Sequence, residues 1–128
     1  MYNEAMGIKI NNHNRQGTGL DRSAKRALGE LQAAVAGLYD QNTPTIVVYG
    51  SYVRQQATES SDIDVLLLYP AKIEPGREID RLSAVLADLN LGYQVLISVV
   101  PVTEEDFRHA SGAFWRNVRR EGIPIDAV

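Results

Sequence analysis

The sequence has no cysteine, which excludes disulfide staples, thiol nucleophiles and cysteine-ligated zinc. Histidine occurs only at His13 and His109, leaving little for a histidine-built metal centre. No apolar run approaches the roughly 20 residues needed to span a bilayer. The opening MYNEAMGIKI lacks the apolar core of a signal peptide, so the expectation is a cytoplasmic protein without membrane association. Basic residues are also short: Lys+Arg 13 against Asp+Glu 16 gives a net charge of −3. A chain that grips nucleic-acid backbone normally presents an excess of positive charge, so nucleic acid is an unlikely partner. An anionic substrate stays open, because a bound divalent cation reverses the local field. What is present is ordinary for a folded domain: 128 residues, 45% hydrophobic and 23% charged.

Residues 1–20 are polar and glycine-bearing, including NNHNRQGTG, and read as a flexible N-terminal arm. Residues 21–128 read as one domain. Asp21 is a candidate cap for a helix in which Ala24, Ala27, Leu28, Leu31, Ala34, Val35 and Leu38 recur at three-and-four spacing. TIVVYG (45–50) and DIDVLLLY (62–69) read as buried strands. A second helix carries Ile79, Leu82, Val85, Leu86 and Leu89 on one face. YQVLISVV (93–100) reads as a third strand, and Thr103 with Asp106 offers a capping start for a last helix that Gly112 could divide. The order α-β-β-α-β-α predicts an α/β (α+β) fold with helices packed on a short mixed β-sheet.

Chemistry concentrates in Gly50-Ser51, ten residues, then Asp62-Ile63-Asp64. The Gly-Ser pair ends a buried strand, where glycine lets a ligand approach the backbone closely. Amides there, with the Ser51 hydroxyl, are suited to phosphate oxygens. Asp62 and Asp64 lie two apart on a strand, so both carboxylates leave one face. Two like charges so close call for a cation, and hard oxygen donors suit Mg²⁺.

YGSYVRQQATESSDIDVLLL (49–68) resembles the signature of minimal nucleotidyltransferases in the DNA polymerase beta superfamily. The α-β-β-α-β order extends the likeness over about residues 21–100. FWRNVRREGIPI (114–125) is similar to the helical end of members paired with HEPN-domain toxins. The resemblance implies a nucleotidyltransferase fold and transfer of a nucleoside monophosphate, AMP from ATP being the expected case, to a partner protein or small acceptor with Mg²⁺. By the same resemblance Gly50, Ser51 and Arg54 bind the nucleotide, while Asp62 and Asp64 are catalytic metal ligands. A HEPN-domain toxin is the implied partner, and oligomerisation is compatible with so small a core.

The chain departs from that pattern in two places. Active members place a third carboxylate on the neighbouring strand, expected here at or near Leu96 or Ser98, and YQVLISVV has none. Gln94 and Ser98 offer neutral oxygens, which are weaker metal ligands and bases. The usual glycine after the arginine is Gln55. The alternative is therefore a catalytically degenerate binding module that acts on a partner by contact. Elsewhere, Glu104 and Glu105 read as a helix start. Lys72 and Arg77 flank a turn within possible reach of a triphosphate. Phe114, Trp115, Arg116, Arg119 and Arg120 form either a partner-binding helix face or a core edge with a solvated basic side.

Overall fold

The structure, a computed structural model, describes residues 2–3, 8–9, 22–54 and 62–128. Two short strands, β1 (Tyr2–Asn3) and β2 (Ile8–Lys9), pair antiparallel inside the segment read as an arm, and β2 lies beside the last helix. The rest of that segment and the Asp21 cap lie outside the described residues. Helix α1 (Arg22–Leu38) buries Ala24, Ala27, Leu28, Leu31 and Val35 of the predicted three-and-four stripe, while Ala34 is half-buried and Leu38, in the last turn, is exposed. Strand β3 (Thr45–Tyr49) pairs antiparallel with β4 (Ile63–Tyr69), and helix α2 (Pro75–Tyr93) crosses over to β5 (Ile97–Thr103), which runs parallel to β4. Helices α3 (Glu104–His109) and α4 (Ala113–Glu121) follow, then β6 (Ile123–Pro124) and a 3₁₀ turn over Ile125–Ala127. The sheet order is β5-β4-β3-β6.

Apart from Thr45 and Asp64 at their ends, the central strands carry hydrophobic residues because both faces are covered. Ile46, Val48, Ile63, Val65 and Leu67 pack against α1 and α2. Val47, Tyr49, Leu66 and Leu68 pack on the other face with Phe107, Val118 and Trp115 from α3 and α4. Asp64 belongs to this second set by the two-residue strand period, so the acid side of β4 shares a face with α4.

Both ends of the third strand differ from the sequence reading. The third strand begins at Ile97, not Tyr93, because α2 continues through Leu91 and Tyr93 and stops at Gln94. Gln94 takes the left-handed conformation (φ 53°), and the Asn90 side chain accepts the Ile97 amide at 3.0 Å, tying helix end to strand start. The strand then runs through Pro101, which lies on an edge strand, where a missing donor is tolerated. On α2, Ile79 is exposed and Glu78 is buried in its place, while Leu82 and Leu89 face the core as expected. Gly112 does divide the last helix: it precedes α4 at φ 109°. Thr103 caps α3, accepting the Asp106 amide at 3.0 Å, and Glu104 and Glu105 occupy its first turn.

Candidate functional site

The antiparallel register of β3 and β4 sets Tyr49 opposite Asp64, so the end of one strand meets the start of the other. The chain then turns at Gly50 with φ +83°, which an L side chain rarely adopts. A Cβ on Gly50 would stand 2.2 Å from an Asp64 carboxylate oxygen, so the Asp64 side chain rests directly on the glycine backbone. Beyond it Ser51–Arg54 form one turn, closed by the Arg54 amide donating to the Gly50 carbonyl at 3.2 Å. Gln55, where the pattern has glycine, lies outside the described residues.

Asp62 stands just before β4, and both acids are half-buried. The Ile63 amide donates to the Leu96 carbonyl at 2.7 Å, and the parallel register sets Asp64 beside Ser98. The Ser98 hydroxyl donates to Asp62 at 3.0 Å. Of Gln94, Leu96 and Ser98, only Ser98 reaches an acid this way. Gln94 lies in the turn before β5, and Leu96 is 52% exposed.

Burial raises the Asp64 carboxyl above its ordinary value of 3.8, the Asp62 charge adds to this, and Arg54 opposes it. Tyr49 is pushed up to about 12, first by burial and then by the Asp64 charge. Both shifts come first from burial, with the neighbouring carboxylate charge adding to each. Among the described residues no cluster of three acids or histidines forms. Of the described residues, Asp62 and Asp64 are the carboxylates that would hold a divalent cation here. The donor set fits such an ion, which would also relieve the repulsion that lifts Asp64.

Arg54 reaches away from the turn to pair with Glu121 of α4 at 3.1 Å. Between them lies a cavity of about 200 Å³ lined by Tyr49, Gly50, Arg54, Asp64, Phe114 and Asn117, with Val118 and Glu121 closing it. Phe114, Asn117, Val118 and Glu121 are spaced as one helix face, so α4 forms a wall of the site. The local sequence does not announce Asn117, which lines the cavity, or Glu121, whose role depends on a contact across 67 residues of chain. Lys72 and Arg77 are not part of the site. Tyr69 ends β4 about 16 Å from Asp64 at strand rise, and Lys72 lies beyond it, by Tyr39, Tyr69 and Glu78. Arg77 pairs with Glu74 at 3.4 Å. Tyr52 is buried in the core, and His109 is exposed at the end of α3.

Residues 35–121 match the nucleotidyltransferase domain family, a span that runs from the end of α1 to Glu121 and holds the whole Gly-Ser/Asp-Ile-Asp site. The chain belongs to that family. This minimal nucleotidyltransferase is 31% identical over 99 residues to a protein of Methanocaldococcus jannaschii named "Putative protein adenylyltransferase", covering 77% of this chain and 93% of that one. Its fold is similar to a solved structure described as a toxin-antitoxin with AMP-PNP, with a TM-score of 0.53 and 17% identity over 79% of this chain and 71% of the other. Among the described residues no helix is long and apolar enough to cross a membrane.

Proposed function

We propose that this nucleotidyltransferase binds Mg-ATP at Gly50, Ser51, Arg54, Asp62 and Asp64 and transfers AMP to a hydroxyl of a partner protein. The observation that carries the reading is the contact of Gly50 with Asp64, which sets the phosphate turn and the acid pair within one side chain of each other. The relative named for protein adenylyl transfer supports a protein acceptor and adenine. The structural neighbour's toxin-antitoxin setting supports a toxin as that partner, a HEPN-domain protein being the expected kind.

On this reading Gly50 and Ser51 hold the triphosphate, and Arg54, kept at the cleft by Glu121, faces its charge. Asp62 and Asp64 hold Mg²⁺, which when bound supplies electrostatic stabilisation of the charge on the transferring phosphoryl group. The acceptor oxygen attacks the α-phosphorus in line, the bond to the β-phosphate oxygen breaks, and pyrophosphate leaves. The acceptor proton passes to water or to the Asp pair. The chain's contribution is position and charge, with no covalent intermediate.

Ser98 favours a second reading. With a hydroxyl where a third carboxylate would stand, the domain would retain nucleotide and act on its partner by contact. One experiment separates the two: incubate the protein with Mg²⁺, α-labelled ATP and the protein encoded beside it, alongside Asp62→Asn/Asp64→Asn. Label on the partner that the double variant abolishes is expected. Partner neutralisation without label, unchanged in the variant, would refute transfer and leave the contact reading.

A further inference from the structure

Helix α4 presents three faces with different company. Trp115, Val118 and Arg119 face inward: Trp115 meets Phe107 edge-on at 6.0 Å, and Arg119 donates to the Phe107 carbonyl at 2.6 Å. Phe114, Asn117 and Glu121 face the catalytic cavity. Ala113, Arg116 and Arg120 face solvent at spacings of three and four. Arg116 makes no ion pair with a described residue. The Arg120 side chain is 67% exposed; it donates to the Asn117 side-chain oxygen at 2.8 Å and lies 3.5 Å from Glu121, within its own helix. Phe114, 47% exposed, borders this stripe while standing edge-on to Tyr49 at 5.7 Å beside Asp64. An exposed aromatic flanked by arginines, on a wall of the cleft, has the composition of an interface centre.

We propose that the Arg116–Arg120 stripe with Phe114 is the docking surface for an acidic segment of the protein acceptor, seated so that its hydroxyl enters the cleft. The inference rests on the transfer reading for its purpose, though not for its physics. The occupant follows from charge. α4 carries three arginines against one acid in a chain of net charge −3, so the patch opposes the sign of the whole molecule. An extended nucleic acid suits it less, because its next phosphates would meet the half-buried Asp62 and Asp64. A short acidic peptide ends before that.

The test uses the full chain and three fluorescent peptides that differ only in flanking a tyrosine with glutamate, serine or lysine. The global field alone would favour the lysine peptide, so the two expectations have opposite sign. Anisotropy is expected to show the glutamate peptide binding about tenfold tighter than the lysine one. Arg116→Glu/Arg120→Glu should invert that order while an ATP analogue binds as before. Equal affinities within twofold, an order unchanged by the double reversal, or tighter binding of a single-stranded oligonucleotide that the reversal abolishes would each overturn the proposal. Label transfer to the same peptides is scored separately. Glutamate-selective binding without label would uphold the docking surface and count against transfer, whereas equal labelling of all three would do the reverse.

Discussion

Replacing Gly50 by alanine tests the contact on which the site is built. The added Cβ would lie 2.2 Å from Asp64 Oδ2, 3.1 Å from its carboxyl carbon and 3.3 Å from its Cβ. Ordinary contact begins near 3.4 Å, so the carboxylate must move by about 1 Å, and rotation alone leaves the carboxyl carbon crowded. The backbone adds its own penalty, since an L residue at φ +83° costs roughly 1–2 kcal/mol whatever the space. For a chain of this size each kcal/mol lowers Tm by about 3–5 °C. The backbone share alone is therefore a Tm drop of roughly 3–10 °C, and the displaced carboxylate lowers Tm further. On the proposed function, displacing the Asp64 carboxylate by about 1 Å should also slow AMP transfer about 10²-fold. Calorimetry and initial-rate label transfer measure the two effects. The Asp64→Ala background tells them apart: there the stability cost of Gly50→Ala should shrink to the backbone share alone. If Gly50→Ala keeps its Tm and transfers within twofold of the parent, the close approach of glycine to acid has no consequence and the argument fails.

Four further variants have outcomes that follow from the structure. Asp64 titrates above 3.8 when folded, so the native state binds more protons than the unfolded chain and stability falls as pH rises above about 4. In metal-free buffer Asp64→Asn should then melt higher than the parent at pH 7 and lose that advantage below pH 3.8; a variant less stable at pH 7 contradicts it. Ser98→Ala removes the 3.0 Å bond to Asp62 and should cost about 1–2 kcal/mol in chemical denaturation. Ser98→Asp should destabilise without metal, bind Mg²⁺ more tightly by calorimetry, and raise transfer by up to about 10²-fold; a slower Ser98→Asp would mean that the hydroxyl is the better fit. Tyr69→Phe, which breaks the buried 2.9 Å bond to the Tyr39 hydroxyl, should cost about 1 kcal/mol and leave transfer unchanged.

The elements with strong periodicity were readable from residues alone. The α1 stripe, the two apolar strands and the Thr103 cap sit where the pattern put them, since local spacing decides burial there. The start of β5 was not readable, because YQV has strand-like composition while its conformation is set by the helix end at Gln94 and the Asn90 link to Ile97. Ile79 and Glu78 exchanged expected places for a similar reason. Glu78 is buried by a hydrogen bond from Tyr39 and by Arg81, partners that a helix wheel does not contain. Gly50, Ser51, Asp62 and Asp64 were visible as a motif, and the strand register brings Gly50 and Asp64 together. Glu121 was invisible, since nothing near it in the chain marks it as Arg54's partner.

The half of the site that sequence missed bears on what the visible half can do. General acid–base assistance is worth about 10²–10⁴-fold, and β5 offers a hydroxyl already engaged with Asp62 where such a group would act. Positioning can be worth more, with effective molarities reaching roughly 10⁵ M and above. A nucleotidyltransferase with two acids is thus most competitive where its acceptor arrives oriented, and least so on freely diffusing alcohols. The wall that could impose that orientation is α4, tied to the phosphate turn by Arg54–Glu121 and to the acid strand by Phe114 against Tyr49. Loss of α4 contacts should therefore reduce transfer to a protein far more than it reduces nucleotide binding, and that separation is the signature of a catalyst that relies on its partner's pose.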